Sequence, residues 1–150
     1  MNLLKRLLRP APAPAAAVKV AEDEGLPLDG VNPALLLLDK AEQGDVGHVL
    51  AVLDRHMETL GQQGQDVREW TRWVEDRLGQ STEPLQASHL AVLGSIYQRL
   101  EGSGRVANCQ KALGYYQRAI EAYRRADNSA GVAVLLNNTG LLYCELAEVD

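Results

Sequence analysis

KALGYYQRAIEAYRRADNSAGVAVLLNNTGLLY, residues 111–143, is the stretch that decides the fold. It reads as one helix, a tight connection near Asp127 and Asn128, and a second helix. Ala112 and Ala119 stand seven residues apart on one helical stripe, with Tyr116 between them. Gly140 and Tyr143 repeat that alternation of small and large on the second helix. Small residues let two helix axes approach, and a large neighbour then fills the gap.

The same face recurs upstream. Sliding the sequence by 46 residues sets Ala87, Leu90, Gly94, Tyr97 and Leu100 on Ala133, Leu136, Gly140, Tyr143 and Leu146. Self-similarity at a fixed period, confined to one helical face, is the signature of stacked helix pairs. Working back towards the amino terminus, the pattern predicts a helix over 85–101, a turn at 102–104, a long helix over 106–125 and a last helix opening at Ala130.

Earlier segments are helical as well. Asn32 is placed as an N-cap with Pro33 in the first turn, and residues 34–42 are strongly apolar. Gln43, Gly44 and Asp45 break the run. Val46, Val49, Leu50, Leu53, Met57 and Leu60 then repeat at three and four. After a loop over 61–64, residues 67–78 carry Trp70, Trp73, Val74 and Leu78 on one apolar edge. Gly79 reads as a helix stop, and Ser81 to Pro84 as a start signal. No run alternates in the manner of a strand. The expected fold is all-α, built of sequential antiparallel helices.

Residues 85–150 resemble the tetratricopeptide repeat family, and in particular its longer-period subclass of kinesin light chains and bacterial signalling proteins. Leu90, Leu93, Gly94 and Tyr97 match the family's first helix. Ala112, Tyr116 and Ala119 match its second, and Leu136, Gly140 and Tyr143 restart the first. The connection from Tyr97 to Ala112 is longer than the family's, and Thr139 replaces a large apolar residue. The resemblance implies a right-handed α-solenoid of antiparallel helix hairpins. Residues 32–84 read as divergent hairpins, an amino-terminal cap or degenerate repeat. The chain stops at Asp150 before a partner helix for 133–146, so that face is expected to be bare. An amino-terminal piece of a longer repeat protein, a dimer or a capping partner would each account for it.

Residues 1–31 form a third segment. Leu3, Leu4, Leu7 and Leu8 lie opposite Lys5, Arg6 and Arg9, a short basic amphipathic pattern. It reads either as a disordered start peptide or as a weak membrane-surface contact through residues 1–9. PAPAPAAA (10–17) reads as a stiff, extended, Ala/Pro-rich tail. Residues 1–20 carry four basic side chains and no acid, which leaves −9 of the net −5 chain for the rest. Such an acidic body argues against nucleic acid as a partner. Cys109 and Cys144 are isolated thiols and fit a reducing, cytoplasmic setting.

The expectation is a non-enzyme without metal or cofactor. His48, His56 and His89 lack metal-ligand spacing. Glu101 to Arg105 is a glycine-rich turn without a phosphate loop's Lys-Ser/Thr. Trp70 and Trp73 read as core before hot spot. The resemblance implies a ligand groove lined by Ser95, Gln98, Arg99, Asn137, Asn138 and Leu141, with Asn138 at the position where relatives hold a peptide backbone. The functional expectation is an adaptor or scaffold that binds a protein or peptide segment. The alternatives are the sensory arm of a larger signalling enzyme or regulator, and a membrane-tethered scaffold. A homo-oligomer through the uncapped last helix is a further expected partner.

Overall fold

The computed structural model describes residues 30–82, 86–102 and 104–149. The basic start, the Ala/Pro tail, Glu83, Pro84 and the expected helix start at Leu85 lie outside them. Among the described residues there are six helices and no strand: α1 (Pro33–Glu42), α2 (Val46–Gln62), α3 (Val67–Gln80), α4 (Ala87–Arg99), α5 (Arg105–Arg125) and α6 (Ser129–Val149). The all-α expectation therefore holds.

The helix ends follow from local chemistry. Asn32 Oδ1 accepts from the amides of Ala34 (3.0 Å) and Leu35 (3.4 Å), which caps α1. Asp45 and Asp66 cap α2 and α3 through the amides of His48 and Glu69, each at 3.1 Å. Asn128 accepts from Gly131 N at 2.9 Å and starts α6 one residue before the expected Ala130. α4 ends at Arg99 rather than Glu101, because Leu100 turns extended at φ −65°, ψ 118°. Gly104, at φ 89°, then lets the chain swing into α5.

Two connections share one design. After α1, Gly44 N bonds Ala41 O and Asp45 N bonds Lys40 O; after α5, Asp127 N bonds Arg124 O and Asn128 N bonds Tyr123 O. Both are Schellman closures whose last residue caps the next helix. The left-handed position holds Gly44 (φ 70°) in the first and Asp127 (φ 53°) in the second.

Contacts give the helix directions. Along α4, Gly94, Tyr97 and Leu100 meet Tyr116, Lys111 and Asn108 of α5 in turn, so the two helices are antiparallel. α5 and α6 are antiparallel too, from Tyr123 beside Gly131 at one end to Arg105 on Glu145 at the other. α3 and α5 run side by side in the same direction, Arg68 meeting Asn108 and Glu75 meeting Lys111. α2 packs against α1, α3 and α4.

The core is almost wholly aliphatic. Leu37, Val49, Val52, Leu53, Leu60 and Val74 are fully enclosed, and Leu93, Ile96, Ala112, Tyr116 and Ala119 extend the same cluster. α2 departs from regular geometry at His56 (φ −124°, ψ 25°). There Arg99 Nη1 donates to the Asp54 carbonyl at 2.8 Å. A side chain that enters the helical ladder in this way is a recognised cause of a kink.

α6 is the thinly packed member. Leu135 and Leu142 are its buried residues, whereas Val134, Leu136, Leu141, Tyr143 and Val149 are all at least half exposed. Among the described residues it is the one helix long and apolar enough, by length and composition, to cross a bilayer.

Candidate binding face and its polar anchors

The residues expected to pack do so on α4 and α5 and stand bare on α6. Leu90 and Tyr97 are buried, and Gly94 is in tight contact with α5. A Cβ on Gly94 would lie 2.5 Å from the Tyr116 ring and 3.3 Å from the Ala112 carbonyl oxygen. Ala112, Tyr116 and Ala119 are enclosed opposite it. On α6, Leu136 and Tyr143 are 50% and 54% exposed, and Gly140 has nothing within 4 Å of its would-be Cβ. Leu136, Gly140 and Tyr143 therefore stand open among the described residues.

The residues expected to line a groove sort by helix. Arg99, at the end of α4, is tied down: Nε bonds the Ser95 carbonyl at 3.2 Å, while the guanidinium reaches the carbonyl and carboxylate of Asp54 on α2. Gln98 Oε1 accepts from the Tyr116 hydroxyl at 2.8 Å, and the Asn138 side chain bonds that hydroxyl from α6. Burial pushes the Tyr116 pKa up, although the Asn138 bond works the other way. Asn138 thus serves a helix-to-helix hydrogen bond. Asn137 and Leu141 are exposed, and Ser95 is half-buried.

Two more residues extend this row. Arg105 opens α5, donates to the carbonyls of Gln98 and Leu100, and pairs with Glu145 of α6. It thereby closes the carboxyl end of α4, where a cation also complements the helix dipole. The row Asp54–Arg99, Gln98–Tyr116–Asn138 and Arg105–Glu145 links α2, α4, α5 and α6 by polar side chains.

The other side of α4 holds an anchor of different chemistry. The Glu75 carboxylate accepts from the hydroxyls of Tyr97 (2.7 Å) and Tyr115, and from Lys111 Nζ (3.0 Å). Tyr97 and Tyr115 stack with centroids 5.9 Å apart, and Lys111 Nζ sits 4.5 Å above the Tyr97 ring. Burial alone would raise the Glu75 pKa. Hydrogen bonds from Tyr115, Tyr97 and Lys111, with the lysine's charge, outweigh it and hold the carboxyl below its ordinary value. Both tyrosines are pushed up by burial and by that carboxylate. Buried Asn108 completes the anchor, donating to the Leu100 carbonyl at 3.2 Å and accepting from Arg68 at 2.9 Å.

Sequence reasoning missed Glu75, Asn108 and Arg105. Glu75 lies in a charged run that reads as a solvated face, and its partners are 22 to 40 residues away. Arg105 follows a glycine turn that gives no hint of Glu145. The tryptophans behave as core: Trp70 is buried and donates from Nε1 to Gln65 at 3.0 Å, and Trp73 meets it edge-on. His48 Nδ1 pairs with the Asp45 carboxylate, and burial holds His89 below its usual pKa. Among the described residues no cluster of His, Cys, Asp and Glu could hold a metal ion. Both cysteines are free, Cys109 buried and Cys144 exposed.

Comparison of the chain with protein-family models, curated proteins and solved structures finds no match.

Proposed function

We infer that this is a tetratricopeptide-type helical repeat protein, a right-handed solenoid in the cytoplasm, which acts as a non-enzymatic adaptor for a peptide or helical segment of another protein. In this reading α2, α4 and α6 are the first helices of successive units, and α3 and α5 are the second helices. The observation that carries the reading is the polar row across alternate helices. Asp54, Arg99, Gln98, Asn138 and Glu145 fix the spacing of α2, α4 and α6 through side-chain bonds. That leaves Asn137 and Leu141, both exposed beside it, to meet a ligand. An amide can donate to and accept from an extended backbone at once, and Leu141 adds apolar contact. Arg99 and Asn138 act on a ligand indirectly, by holding the helices in register.

The test is selection of displayed peptides on the immobilised full chain. Peptides recovered on the wild type should bind an Asn137→Ala, Leu141→Ser double variant at least ~10-fold more weakly, the effect of removing a contact hot spot. A library that gives nothing above background, or peptides indifferent to both changes, refutes the reading.

A further inference from the structure

The bare stripe on α6 has a covered twin in the same molecule, and the twin shows what kind of helix fits it. On α4, the stripe Leu90, Gly94, Tyr97 is covered by an antiparallel helix that offers a small residue, an aromatic and a small residue: Ala112, Tyr116, Ala119. The ring of Tyr116 enters the notch left by Gly94, and Ala112 lets the backbones close to contact. The α6 stripe is Leu136, Gly140, Tyr143, all exposed, and it continues to Ala147, also exposed. Gly140, Tyr143 and Ala147 are themselves a small, aromatic, small series, with spacings of three and four where α5 has four and three. α6 therefore carries both halves of the α4–α5 lock on one face.

We propose that this face docks the same face of a second copy of the chain, α6 against α6, antiparallel about a twofold axis. In the register that satisfies both halves, Tyr143 enters the notch at the partner's Gly140, and the partner's Tyr143 enters the notch at Gly140. Leu136 faces the partner's Ala147, and Ala147 faces the partner's Leu136. Every large residue meets a small one, and each contact occurs twice, as an isologous interface requires. The stripe is distinct from the groove side of α6. At ~100° per residue, Leu141 and Val134 lie about 130° and 150° around the helix from the centre of the stripe, and Asn137 about 90°. Dimerisation would thus leave Leu141 uncovered on each copy, with Asn137 at the rim of the interface, and would give the assembly two ligand sites.

Sedimentation equilibrium of the full chain, from micromolar to sub-millimolar concentration, tests the proposal. The wild type should pass from 16.4 kDa to twice that mass. Gly140→Leu fills the notch, and among the described residues nothing lies within 4 Å of a Cβ there. It should weaken dimerisation about a hundredfold, since bulk is forced into a packed contact twice. Tyr143→Arg, at an exposed position, should do likewise. Both variants should keep the wild-type far-UV circular dichroism spectrum, and Val134→Ser should dimerise as the wild type does. A chain that stays monomeric at every concentration overturns the proposal. So does a dimer indifferent to both stripe variants. A chain monomeric in buffer that floats with phosphatidylcholine–phosphatidylglycerol vesicles overturns it in favour of a bilayer as the occupant of α6.

Discussion

α4 and α6 carry the same face 46 residues apart, and the two faces meet opposite fates. The α4 stripe is sealed by α5 and cross-linked by Glu75, whereas the α6 stripe lies open. The difference shows that a pattern of small and large residues specifies what a helix face is able to hold. Whether it holds anything depends on a complement elsewhere. Gly94 and Gly140 are equivalent as residues. Only Gly94 has a ring within van der Waals reach, so only there does the missing side chain have a structural consequence.

Truncating the two tyrosines should separate the faces most. Tyr116→Ala empties a site that is 1% exposed and removes the hydroxyl joining Gln98 to Asn138. A loss of about 3–5 kcal/mol is expected, as for other large core aromatics. Tyr143→Ala, at 54% exposure, should change stability by about 0.5 kcal/mol or less. Urea unfolding at a concentration where the chain is monomeric measures both. Equal losses would mean that α6 is packed as α4 is, and the contrast between them would fail.

The glycine pair should give a smaller and opposite-signed contrast. Gly94→Ala forces the Tyr116 ring to move and should cost about 1–3 kcal/mol, the usual range for overpacking. Gly140→Ala meets open space on an exposed helix interior and should stabilise the monomer by up to about 1 kcal/mol through helix propensity alone. Thermal midpoints should move in opposite directions. A fall in both would place an unseen neighbour at Gly140.

Glu75 sharpens the comparison from the covered side. Its folded pKa lies below the ordinary glutamate value. The carboxylate therefore adds stability that is complete above the unfolded pKa and is lost as pH falls through the folded one. Glu75→Gln should cost about 1.5–3 kcal/mol at neutral pH, the range for hydrogen bonds to a charged group. It should also flatten the acid limb of the stability curve below the ordinary glutamate range. A parallel displacement of wild type and variant at every pH would show that the charge contributes nothing and the contacts alone do.

Much of this architecture is legible in the sequence, and the reason is physical. Helix existence and most turns are set by neighbours in the chain. Asn32, Asp45 and Asn128 announce caps, Gly44 announces a left-handed closure, and the spacing of Leu50, Leu53 and Leu60 announces a buried face. The stripe of Leu90, Gly94 and Tyr97 announces the close contact that α4 makes with α5. What stays hidden is long-range and polar. Arg99 is an obvious exposed cation until Asp54, 45 residues away, claims it. Asn138 looks like a ligand contact until Tyr116 is found beside it. Glu75 gathers two tyrosines and a lysine that no local spacing could associate with it. Helix face groups the expected groove residues, but which of them are occupied by the fold is a property of tertiary contact.

The smallest expected effect concerns how α6 is held at all. With one buried row and, among the described residues, no helix over its stripe, α6 should open locally more readily than α4, so its amides should exchange with deuterium faster than those of α4. The α5–α6 turn adds to this, because Asp127 occupies a left-handed position that Gly44 fills in the equivalent α1–α2 turn. Asp tolerates that region better than most residues, so the strain there is under about 1 kcal/mol. Asp127→Gly would relieve it while adding chain entropy to the unfolded state, which offsets part of the gain. The expected net result is about a twofold slowing of exchange over residues 129–149, of the size that roughly 0.4 kcal/mol produces. Exchange in α4 should be unchanged. Slowing of both helices alike would mean that α6 opens only when the whole molecule unfolds, and its bare face would then impose no local instability.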